Sequence, residues 1–176
     1  MLLGLVMVVT LVAYQQDTVT HKDSLPAPVQ APVPAPAPSI EQIRYMAGLR
    51  TATRGVAQIR DGVNRVVRTQ QADSLTRRRA ARRLGGLCST ARSFIVSGRP
   101  KMQATAYADT MRVLAKQLTT RLDSLNAALP ICEKTAGRDP STVATSLTNR
   151  LKNYDDAVLA FRTALKPDST KAISQQ

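Results

Sequence analysis

The sequence predicts an all-α fold, an antiparallel bundle of about four helices, on three observations. Apolar residues recur at three- and four-residue spacing along four separate stretches. Capping residues, or glycine and proline, bound those stretches. No stretch alternates polar and apolar residues for more than a few positions, as a half-buried strand would. The bundle is expected over 39–167. An apolar segment, 1–14, and a polar, Pro/Ala-rich linker, 15–38, precede it. A short disordered tail is expected at 168–176.

The first helix opens on Ser39 and Gln42, a capping box directly after Pro38. Its seam runs through Tyr45, Leu49, Ala52, Val56, Ile59, Val63 and Val66, four and three residues apart in turn. It should end near 67–71. A second helix can start at Asp73 or Ser74, pass Leu84, Leu87, Ala91 and Phe94, and end at Ser97 before Gly98 and Pro100. The Gly85-Gly86 pair inside it is a candidate kink. The third carries Tyr107, Met111, Leu114, Leu118, Leu122, Leu125 and Leu129, with Pro130 as its expected stop. The fourth has Asp139 as N-cap and Pro140 in the first helical position. Its stripe is Val143, Leu147, Leu151, Tyr154, Val158, Phe161 and Leu165, and Pro167 ends it.

Gly48, Gly55 and Gly62 recur every seven residues, each just before a seam position. Glycine costs a helix interior about 1 kcal/mol relative to alanine. Three on one face therefore imply a close backbone approach. The neighbour is either another helix of the same bundle or a helix of another subunit docking on a flat strip.

Cys88 and Cys132 are the only cysteines. Outside the cytoplasm such a pair forms a disulfide. A straight hairpin turning near Gly98 would offset them by about 30 Å, against a required Cα separation below about 7 Å. Pairing therefore requires a kink at Gly85-Gly86, a late start to the third helix, or a folded-back 130–139 loop.

The chain holds 25 Lys and Arg against 12 Asp and Glu, a net charge of +13, which favours anionic partners. The densest part is RRRAARR, with Arg77, Arg78, Arg79, Arg82 and Arg83. Arg78 with Arg82, and Arg79 with Arg83, repel each other at i,i+4. A cluster that destabilises its own helix points to an anionic partner, a solvated face being the plainer alternative. Aromatic residues make up 3 % of the chain and there is no tryptophan, so this is not an aromatic-rich stacking surface.

Catalytic chemistry finds no support. His21, the only histidine, sits alone in the polar tail. Asp155 and Asp156 are adjacent, so on a helix they point about 100° apart and cannot share a site. Two cysteines and one histidine make no zinc spacing, and Gly85-Gly86 lacks the Lys-Ser/Thr of a phosphate loop. No metal or cofactor site is expected.

MLLGLVMVVTLVAY is about 21 Å long as a helix, short of the roughly 30 Å hydrocarbon core. It reads as a cleaved secretory segment or a short retained anchor, and both place the remainder outside the cytoplasm. PAPVQAPVPAPAP, 26–38, is an extended polyproline-type spacer of about 40 Å. Tether, spacer and basic bundle together resemble, in layout, the membrane-extrinsic accessory subunits that brace bacterial membrane complexes, such as photosystem reaction centres within their antenna rings. The resemblance implies a structural, non-enzymatic role in photosynthesis or a similar setting, without pigments or redox centres, and carries no site residues across. The expected partners are other subunits of a membrane complex, and anionic lipid headgroups. The expected location is the periplasm, at the membrane. Two alternatives stand beside this: a nucleic-acid-binding basic protein, and a periplasmic ligand-binding or adaptor bundle.

Overall fold

The Ser39 hydroxyl accepts a hydrogen bond from the Gln42 N–H at 3.2 Å, and the Gln42 side-chain oxygen accepts from the Ser39 N–H at 3.0 Å. This reciprocal cap fixes the start of α1, Ile40–Arg68. A computed structural model describes residues 37–165. Within it follow α2, Ser74–Gly98; two single 3-10 turns, Arg99–Lys101 and Ala104–Ala106; α3, Asp109–Thr135; and α4, Pro140–Leu165. No strand occurs among the described residues. The segment 1–14, His21, most of the linker 15–38, Pro167 and the tail 168–176 lie outside the described residues.

The four helices run up, down, up, down. Gly48 packs on Gly98 and Gly62 on Leu84, so α1 and α2 are antiparallel. Arg99 pairs with Asp123 and Cys88 with Cys132, which sets α3 antiparallel to α2. Arg150 reaches Ser124 across the α3–α4 pair, and Thr53 meets Tyr154 across α1 and α4. The predicted seams supply the core: Leu49, Val56, Ile59, Leu84, Leu118, Leu122, Leu125, Leu129 and Leu147 are all buried. At the end where α1 begins, the rings of Tyr45, Tyr107 and Phe161 pack with centroids 5.2–5.4 Å apart. The Tyr45 hydroxyl donates to the Ala115 carbonyl at 3.0 Å, which satisfies its polar atom inside that cluster.

The third helix departs from its expected limits at both ends. Tyr107 precedes α3 instead of opening it, yet is still buried against Tyr45 and Phe161. Asp109 turns the chain into α3 with φ 45°, a left-handed conformation that aspartate adopts more readily than most residues. At the other end the helix runs through Pro130 to Thr135. An internal proline removes one backbone hydrogen bond and costs about 3 kcal/mol. Leu129, Cys132 and Ala136, all buried around it, offset that cost.

This displacement resolves the cysteine conflict. Cys88 lies ten residues before the end of α2 and Cys132 twenty-three past the start of α3. The difference of thirteen residues is about 20 Å of helix, and the 99–108 connector climbs it before α3 begins. The two cysteines then meet as a disulfide with Cα atoms 6.2 Å apart. No kink at Gly85-Gly86 is needed, since α2 continues unbroken through both. The bridge closes a loop of 44 residues. Chain entropy values such a closure at about 4 kcal/mol. Replacing both cysteines with alanine should lower the unfolding free energy by about 2–4 kcal/mol, measured by urea denaturation under oxidising conditions. An unchanged midpoint would show the bridge does not constrain the unfolded chain.

Candidate docking surfaces

The three heptad glycines face inward, onto α2. A Cβ built at Gly48 would lie 2.6 Å from the Gly98 carbonyl oxygen, and one at Gly55 2.6 Å from that of Ala91. At Gly62 it would meet Leu84 Cδ1 at 2.8 Å. Gly98 returns the contact, with only 2.5 Å between its own built Cβ and the Gly48 oxygen. Gly48, Gly55 and Gly62 are buried. The strip considered for another subunit's helix is thus occupied by the chain's own α2, and these glycines offer no external surface. The reason is close backbone contact between two helices that share a hairpin.

That contact fixes the rotation of α2. Ala80, Ala81, Leu84, Cys88, Ala91, Ile95 and Gly98 turn inward. Arg77, Arg78, Arg79, Arg82 and Arg83 are all exposed. Six arginines lie on α2 and no acid. Asp73, the one acid beside the cluster, is engaged elsewhere: its carboxylate caps the helix, accepting from the N–H groups of Leu75 and Thr76 and from the Thr76 hydroxyl at 2.6–3.0 Å. Those bonds, the Thr76 hydroxyl first, hold its carboxyl below the usual carboxylate range.

Elsewhere, Arg60, Arg92, Arg99 and Lys152 find acidic partners. Arg60 donates from Nη2 to both carboxylate oxygens of Asp155 at 2.6 and 2.9 Å, and Arg99 donates from Nε and Nη2, one to each oxygen of Asp123, at 2.7 and 2.9 Å. Lys152 pairs with Asp156, and Arg92 approaches Glu133 at 3.9 Å. The adjacent Asp155 and Asp156 therefore serve separate cations. None of the ion pairs among the described residues reaches the five arginines of 77–83.

Two surface grooves have no counterpart in the sequence pattern. One, of about 370 Å³, lies between α3 and α4 beside the disulfide and includes Ile131, Thr135, Arg138, Val143 and Arg150. The other, of about 440 Å³, lies where α1 begins and includes Pro38, Ile43, Met46, Tyr107, Met111 and Leu165. Exposed Ile43 and Ile131 were the available signals, as apolar residues off the main seams. No group of three or more His, Cys, Asp or Glu side chains that could hold a metal occurs among the described residues. No described helix is long and apolar enough to cross a membrane.

No protein-family model matches the chain, and no curated protein or solved structure matches it.

The glycines generate a test of sign. Gly55→Ala should destabilise the bundle by about 1–3 kcal/mol, because the new methyl meets backbone and forces the helices apart. Gly86→Ala should stabilise it by about 0.5–1 kcal/mol, because nothing lies within 4 Å of the added carbon and helix propensity alone acts. Thermal melts of the two variants check both signs.

Proposed function

We propose that this chain is a non-enzymatic structural subunit that works outside the cytoplasm, in the periplasm, docking on a larger membrane protein complex and bracing it. The observation that carries the reading is the exposed arginine run of α2, which packs five arginines into seven residues, with no acidic partner for any of them among the described residues. Like-charged residues four apart destabilise their own helix by a few tenths of a kcal/mol per pair, and an anionic partner relieves that repulsion. The disulfide supports an oxidising compartment. It also stiffens the body that carries the arginines, so docking orders little additional chain.

In this reading the apolar segment 1–14 is the tether, and the proline-rich stretch 26–38 is the strap. An extended polyproline-type chain loses less conformational entropy on lying in a groove than a flexible one does. Tethering raises the local concentration of the bundle at its docking surface, so modest contacts suffice. The layout shared with accessory subunits of photosynthetic reaction centres supports this role. A role in photosynthesis is one form of the same proposal.

The test is native purification. The wild-type chain should co-purify from membranes with subunits of a complex. Changing Arg78, Arg79, Arg82 and Arg83 to glutamine should leave helicity and melting intact while weakening co-purification, most strongly at low salt, where the charges are least screened. Unaltered co-purification would remove the arginine run from the docking surface.

A further inference from the structure

The outward face of α2 has more structure than its charge. Successive helical residues turn by about 100°, which places Leu75 opposite the buried stripe of Leu84, Cys88, Ala91 and Ile95. Arg78 and Arg82 then lie to one side of Leu75, and Arg79 and Arg83 to the other. Leu75, 52 % exposed, lies in the first turn, before the arginines and in line with the gap between the two pairs. Further along the same face come Gly86, Ser93 and Ser97, flanked by Ser89 and Thr90, all exposed. The Thr90 and Ser93 hydroxyls bond carbonyls of their own helix, those of Gly86 and Ser89, so they ask for no outside partner. From Leu75 to Ser97 this face is about 33 Å long, basic at one end and built of small side chains with exposed Val96 at the other.

We infer that this face lies on an anionic phospholipid surface, with Leu75 entering the headgroup layer and Arg78, Arg79, Arg82 and Arg83 binding lipid phosphates on both sides of it. The inference deepens the docking reading and rests on it for a location at the membrane.

Three features favour lipid over other anionic partners. An exposed leucine between arginines suits an interface in which an apolar side chain is buried and cations extend to the headgroups. A nucleic-acid backbone would leave that leucine against phosphate. Moreover, none of the described aromatic rings is exposed, so there is no platform on which unpaired bases could stack. Finally, the cluster is entirely arginine, whose planar fork takes two phosphate oxygens at once. Patterned recognition of an acidic protein would require charges of fixed spacing. A fluid headgroup layer adapts to closely packed arginines.

The experiment uses the full oxidised chain with two kinds of vesicle, pure phosphatidylcholine and phosphatidylcholine with about a third phosphatidylglycerol. Insertion of the apolar segment 1–14 does not depend on headgroup charge and appears equally on both, so the readout is the preference between them. We expect at least about a tenfold preference for the anionic vesicles at low salt, falling as salt rises. Changing all four arginines to glutamine removes four charges from the net +13, leaving +9, and should reduce the preference at least about threefold. Leu75→Ser should weaken binding to anionic vesicles several-fold without changing its salt dependence. Circular dichroism melts establish that each variant is folded, and Lys152→Gln, on α4, should leave the preference intact. No preference in the wild type, or a preference that the quadruple change leaves undiminished, overturns the inference. So does tighter binding to a DNA or RNA duplex than to anionic vesicles at the same salt. If the preference is absent but co-purification with a complex still requires the arginines, the lipid inference fails and the bracing role stands. If the preference is present and no complex co-purifies, the bracing role fails and the lipid inference stands.

Discussion

Close contact between α1 and α2 governs the rest of this structure. Gly48 and Gly98 face each other so nearly that a methyl on either would meet the other's carbonyl oxygen. Gly55 repeats the arrangement against Ala91. Such contacts leave α2 no freedom to rotate, because any larger group turned into the seam collides with backbone. A helix held in this way has a fixed inner face and therefore a fixed outer one. The outer face carries Leu75 and the arginines. Thus the feature that first stands out in the sequence as a conformational cost decides which residues the bundle presents to its surroundings.

The disulfide adds a second constraint, perpendicular in effect to the first. The glycine seam fixes how α2 is turned, and Cys88–Cys132 fixes how far α3 is displaced along it. The connector between them can climb about 20 Å only because it is not a tight turn. Two 3-10 turns and the left-handed Asp109 occupy the space. The connector then brings Tyr107 against Tyr45 of α1 and Phe161 of α4, which completes the aromatic cluster. The proline inside α3 is tolerated because buried apolar residues lie on both sides of it.

Much of the fold is legible in the sequence, and the exceptions have physical causes. Caps and seams identify all four helices, since Ser39, Asp73 and Asp139 bond their own first turns whatever else the chain does. Pro130 misleads because a local rule about helix termination competes with tertiary burial, and burial of Leu129, Cys132 and Ala136 wins. Tyr107 keeps helical spacing with Met111 but belongs to the connector, where packing and not hydrogen bonding holds it. The glycine spacing shows that a close neighbour exists without showing which helix it is. The arginine run is visible from the start. What the sequence hides is that Leu75 shares the outward face with the arginines, since that depends on the rotation of α2.

The central claim is that the outward face of α2, fixed by the glycine seam, is the face that meets the partner. It is tested most directly by photo-crosslinking in membranes of the producing cell. A photoreactive residue at Ser93, on the outward face of α2, is compared with one at Asn153, exposed on α4. The account predicts adducts to lipid or to membrane subunits from position 93 and none from position 153. Adducts from position 153 alone would contradict it.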